Sequence, residues 1–163
     1  MSSIEFKYDD GGYWLAYGDC LSSFESGVFV FTGDQGISPT TVQVDVINLL
    51  TALPQQFVNN LKQFAKRYLV KQLLENGLAS DHYDFRLELH QAIVPPISIA
   101  TVNYFFLLGS SDADMDRGMA FLCKGVDSFA IVSCDYAHER LDWNAVEHFE
   151  MLMAYNDLGK DIV

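Results

Sequence analysis

Cationic side chains are what this sequence is short of: ten Lys and Arg stand against 22 Asp and Glu, a formal net charge of −12. Phosphate backbones and anionic lipid surfaces attract basic stripes, so a field of this sign disfavours nucleic acid and membrane surfaces as partners. A basic protein, a cation or simple solubility remain open. Cysteine is also scarce, and odd in number. Cys20, Cys123 and Cys134 lie far apart with no CxxC and no His at ligand spacing, which argues against a secreted disulfide framework. No apolar run approaches the ~18 residues of a membrane span. The opening residues, Met1 to Lys7, lack the apolar stretch of a signal peptide. The expected location is therefore the cytoplasm. GxGxxG, GK[ST] and GxSxG are all absent, so neither a cofactor nor a catalytic set is expected from motifs.

Hydrophobic residues are plentiful. They make up 50% of the 163 positions, and 22 side chains are aromatic. A chain of this length buries roughly 70% of its unfolded surface, enough for a core without disulfides or metal. No repeat or linker divides it, and residues 1–163 are read as a single domain. The charge is uneven along the chain. Residues 1–60 carry seven acids and one base, Lys7, and residues 101–163 carry eleven acids and four bases. Between them Lys62, Lys66, Arg67, Lys71 and Arg86 outnumber the acids.

Ile4–Tyr8 and Tyr13–Tyr17 flank Asp9-Asp10-Gly11-Gly12, where Gly supplies the positive φ of a tight hairpin. Val28–Thr32 is a third β-rich run, and the three are expected as consecutive antiparallel strands. Ser38 and Pro39 read as the cap and first position of a helix. In Thr41–Leu53, Val42, Val46, Leu49, Leu50 and Leu53 keep helical spacing, although Val42, Val44 and Val46 also alternate like a strand; helix is favoured over strand plus helix. Phe57, Leu61, Phe64, Ala65, Tyr68 and Leu69 form one face of a longer helix from about Pro54 to Glu75. Tyr83–Leu89 alternates as a half-exposed strand, and Ile97–Leu108 reads as a strand inside the sheet. Met119–Cys123 and Phe129–Cys134 suggest a hairpin. A last helix starts at Asp142 and turns Trp143, Val146, Phe149, Leu152 and Met153 inward. The expected class is α+β: an antiparallel β-sheet with two or three helices packed on one face.

Several groupings invite a chemical interpretation. Asp112, Asp114 and Asp116 alternate as calcium-loop carboxylates do, but Arg117 and Cys123 stand where the loop requires Gly and Glu, so a solvated acidic loop is expected. His138-Glu139 begins like a zinc-protease helix, yet Asp142 replaces the second His. His82 and His90 are too far apart on one strand to share an ion, and His148 flanks a core contact. Cys20 lies among turn residues without a group to lower its pKa. No metal site is expected. Lys62, Lys66, Arg67 and Lys71 gather on one helix, as a solvated face or as a patch for an acidic partner or a second copy. Tyr13, Trp14, Tyr104, Phe105, Phe106 and Trp143 are candidates for an aromatic rim, though most must be core.

The order of hairpins, then Gly36-Ile37-Ser38-Pro39 opening a helix, the long Gln55–Gln72 helix and an acidic Asp112–Gly118 loop before a C-terminal hairpin resembles small acidic bacterial immunity proteins of polymorphic toxin systems. That resemblance implies a non-enzymatic domain that neutralises a basic toxin by binding it. A partner would then meet acids at chain turns: Asp112, Asp114, Asp116, Asp135, Glu139 and Asp142. Two other classes compete with it. One is an enzyme with a dispersed pocket. The other is a self-associating accessory subunit, with the Tyr104–Leu108 edge or the basic helix at a twofold contact.

Overall fold

The computed structural model describes residues 3–32, 36–75, 77, 86–95, 103–111, 114–126, 128–132 and 149. Seven strands pair in sequence order into one sheet: β1 (Glu5–Asp9), β2 (Tyr13–Tyr17), β3 (Val28–Phe31), β4 (Leu87–Val94), β5 (Tyr104–Ser111), β6 (Asp114–Lys124) and β7 (Ser128–Val132). Helices α1 (Thr41–Leu50) and α2 (Gln55–Glu75) fall between β3 and β4. Every neighbouring pair is antiparallel except β3 with β4. That pair is parallel because the two-helix excursion returns the chain to the end of the sheet from which β3 started. The class is α+β, with a mostly antiparallel sheet.

Local chemistry explains the elements. Asp9 O accepts from Gly12 N at 3.1 Å, and Gly12 takes φ 88°. This is a type I turn with a glycine bulge, the usual closure of a three-residue hairpin loop. Helix α1 begins two residues later than the Ser38-Pro39 signal suggests. Thr40 is its cap, because Thr40 alone has Gln43 three residues on: Gln43 N donates to Thr40 Oγ1 at 3.2 Å and Thr40 N to Gln43 Oε1 at 3.0 Å. The reciprocal pair satisfies two donors that the first helical turn would otherwise leave open.

Along α1, Val46, Ile47 and Leu50 turn inward; along α2, Phe57, Leu61 and Ala65 do. They meet one face of the sheet at Val28, Val30, Ala92, Val94, Phe105, Leu107, Phe121 and Cys123, a single core cluster. Phe129 closes it with edge contacts to Phe57, Phe64 and Phe121. The opposite face is buried as well in the β4–β7 half. Tyr104, Phe106, Leu122 and Ala130 have 1% exposure or less, and Phe149 packs against Tyr104 and Phe106 at 5.3 and 5.7 Å between ring centroids. Phe105 and Phe106 are thus both core, one on each face.

Several boundaries differ from the sequence-based expectation. Strand β4 runs on to Val94 where alternation stops, since Ala92, Ile93 and Val94 lie where both faces are covered and no polar side is needed. Tyr83 to Phe85 and residues 96–102 lie outside the described residues. Strand β5 sits between β4 and β6, so Tyr104–Leu108 is no edge and is closed to a twofold contact. The acidic segment is not one open loop: Asp114 and Asp116 already belong to β6, whose Asp114 pairs with Ser111. Local charge does not exclude a strand once a neighbouring strand supplies the ladder. The expected helix from Asp142 is described only at Phe149, which is buried as expected.

Candidate functional site

On the sheet face opposite α1 and α2, strands β1 to β3 carry side chains in rows set by register. Glu5 lies beside Tyr17, Lys7 beside Leu15 and then Phe29, and Asp9 beside Tyr13 and then Phe31. Neighbouring rows share one face because alternate residues of a strand point the same way. Farther along this face Tyr104, Phe106, Leu108, Ala120 and Leu122 of β5 and β6 are buried. Here Tyr13, Leu15, Phe29 and Phe31 stay half-buried, and Tyr17 is 43% exposed. Tyr13 stacks edgewise on Phe29 at 4.9 Å and tilts over Phe31 at 5.2 Å. Gly27 (φ 101°) closes this row: a Cβ there would stand 2.7 Å from Leu15 Cδ1 and 3.3 Å from Phe29 Cε1. The rings therefore form a preset surface rather than a loose fringe.

Acids frame it. Glu5, Asp9, Asp10, Asp19 and Glu25 are exposed around these strands, and Lys7 is the one cation among them. Tyr17 Oη donates to Glu5 Oε2 at 2.8 Å, and that bond, followed by the Glu5 charge, raises the phenol's pKa. Tyr13 is raised too, first by burial, then by the Asp9 charge and its hydrogen bond. Both phenols are held neutral with their acids in place. The arrangement sets flat aromatic area beside fixed carboxylates.

Trp14, the other aromatic of this region that sequence alone had marked, turns to the helix side. Its Nε1 donates to Ile37 O at 3.0 Å, and its ring lies edgewise to Tyr8 at 5.3 Å. Tyr17, Phe29 and Phe31 were missed, although the Tyr13-Leu15-Tyr17 and Phe29-Phe31 alternation carried the signal. Of the acids expected to meet a partner, Asp114 and Asp116 open β6, whereas Asp112, Asp135, Glu139 and Asp142 lie outside the described residues. Trp143, His82, His138, His148 and Cys134 lie outside them as well.

The basic helix face forms part of a second feature. Lys62, Gln63 and Lys66 of α2 meet Arg86, Leu87 and Glu88 around a groove of about 350 Å³. Its lining holds cations, one amide and one carboxylate, and no hydroxyl, thiol or imidazole among the described residues. His90 of β4 is half-buried, and its Nδ1 has no hydrogen-bond partner among the described residues. Cys20 is a half-buried free thiol and Cys123 a fully buried one, its pKa pushed well up by burial. Among the described residues no group of three or more His, Cys, Asp or Glu could hold a metal, and no helix is long and apolar enough to cross a membrane. Comparison with protein-family models, curated proteins and solved structures returns no match for this chain.

Proposed function

We propose that this chain is a non-catalytic protein-binding domain that receives a basic partner on the outer face of β1 to β3, in the manner of an immunity-type protein neutralising a basic toxin. One observation carries it: Tyr13, Leu15, Tyr17, Phe29 and Phe31 keep exposed area on a sheet face, framed by five exposed acids and one base. Aromatic area that is already rigid loses little entropy on binding, and acids around it speed the encounter with a cationic surface. The charge of −12 acts in the same sense over longer range.

Capture from the native cell with the whole chain, compared with a Tyr13→Ser/Phe29→Ser variant, supplies the partner for kinetics. Association is expected to slow steeply between ~20 and ~200 mM salt while dissociation changes little. Glu5→Gln with Asp9→Asn should slow association, and the aromatic pair should speed dissociation. Retention of a small molecule alone, or association indifferent to salt, overturns the proposal. In that event the groove at Lys62, Lys66 and Arg86 becomes the place to seek a dispersed active site.

A further inference from the structure

The outer edge of β1 has a polarity that its hairpin fixes. In the glycine-bulge closure Asp9 turns its N–H and C=O toward β2. Antiparallel pairing alternates, so Lys7 and Glu5 do likewise, and Phe6 and Tyr8 turn their backbone groups the other way. Among the described residues no strand pairs with that edge. The side chains on the aromatic face of β1 read Glu5, Lys7, Asp9, all exposed. Glu5 is engaged by Tyr17, and Asp9 by Gly11 N at 2.9 Å and by Tyr13. Lys7 lies between these acids with no ion pair to either.

We propose that β1 pairs antiparallel with β1 of a second copy of this chain, in the register centred on Phe6. Of the registers centred on Phe6, Lys7 or Tyr8, side-chain charge excludes one and strand length another. A centre at Lys7 sets Lys7 against Lys7 and Glu5 against Asp9 twice, three like-charge contacts. A centre at Tyr8 runs the overlap into the Asp10–Gly12 turn, where no strand exists. A centre at Phe6 keeps Ser3 to Asp9 paired throughout and places Lys7 against Glu5 of the second copy, twice. Those two are non-hydrogen-bonded pairs, with Cα atoms ~4.5 Å apart and side chains at their closest. Phe6 then meets its own copy on the helix side, and Tyr8 meets Ile4. The backbone contact runs along the sheet edge and needs none of the exposed rings, so it does not rest on the partner proposed above.

Sedimentation of the whole chain over a concentration series in ~150 mM salt tests this, because at that ionic strength repulsion between the two net charges is largely screened whereas contact pairs are not. The 18.3 kDa chain is expected to approach twice that mass as concentration rises. Lys7→Glu should abolish the dimer, and Glu5→Lys/Lys7→Glu should restore it at unchanged net charge. The register has its own readout under mild oxidation. Phe6→Cys should cross-link to its own copy, since a hydrogen-bonded pair holds Cα atoms ~5.5 Å apart, within disulfide reach. Tyr8→Cys should give no more cross-linked dimer than the unaltered chain, its two copies lying about 14 Å apart along the strands. A monomer at every concentration, a Lys7→Glu dimer as strong as the original, or a cross-link through Tyr8→Cys overturns the proposal.

Discussion

Gln43 is the one polar side chain among the described residues that is fully buried, at 2% exposure, and replacing it with Leu probes how the parallel β3–β4 junction is held. Its Nε2 donates to Phe31 O at 2.8 Å, at the end of β3, and to Pro95 O at 3.2 Å, just past β4. Its Oε1 accepts from Thr40 N in the helix cap. Leu keeps the volume and loses all three bonds. A buried group left unpaired costs about 1–3 kcal/mol, and the two in part-buried positions recover some of this through water. The sum is about 3–4 kcal/mol, offset by about 1 kcal/mol for the more apolar side chain. A net loss of ~2–3 kcal/mol corresponds to a fall of roughly 4–12 °C in Tm for a domain of this size. Thermal melts and urea titrations measure it, with the urea slope expected to stay constant because the exposed area does not change. Gln43→Glu should cost more at neutral pH, since a carboxylate oxygen would then face two carbonyls, and should recover in part as acid protonates it. A Gln43→Leu chain melting within ~1 °C of the original would refute the reasoning, because at ~2–4 °C per kcal/mol that is no measurable loss.

Tyr13 and Tyr17 are raised above the ordinary phenol pKa in the folded chain. A raised pKa favours the protonated form, so their contribution is complete below the unfolded phenol value of ~10 and is lost as pH rises through the folded values. Stability should therefore fall on the alkaline limb. Tyr13→Phe with Tyr17→Phe should flatten that limb, and an unchanged profile in alkaline urea titrations would contradict the assignment. A thiol reagent should modify Cys20 in the native protein and leave Cys123 untouched, with three thiols appearing in denaturant; fast native reaction at Cys123 would mean that its site opens readily.

How much of this was legible in the sequence depended on how local the cause was. The β1–β2 hairpin was written in Asp9-Asp10-Gly11-Gly12, because turn geometry needs only four consecutive residues and one positive φ. Helix α2 was written in the spacing of Phe57, Leu61 and Ala65, because one buried stripe at helical period admits no other element. The α+β class followed from those elements, and the −12 charge, with what it disfavours as a partner, followed from counting.

Tertiary pairing decided the rest. Val42, Val44 and Val46 suit either period, and the helix is settled by Thr40 and Gln43, a polar residue that looks exposed until two carbonyls from distant strands converge on it. Asp114 looks like loop until Ser111 of β5 pairs with it and β6 runs on from there through Asp116. Which aromatics stay exposed is not a property of the rings. Phe106 and Phe29 lie on the same face of one sheet, in strands separated only by β4, and differ because Phe149 returns from the far end of the chain to cover one side. A cover that comes from more than forty positions away leaves no trace in local pattern, so the candidate docking face existed only once the sheet had formed.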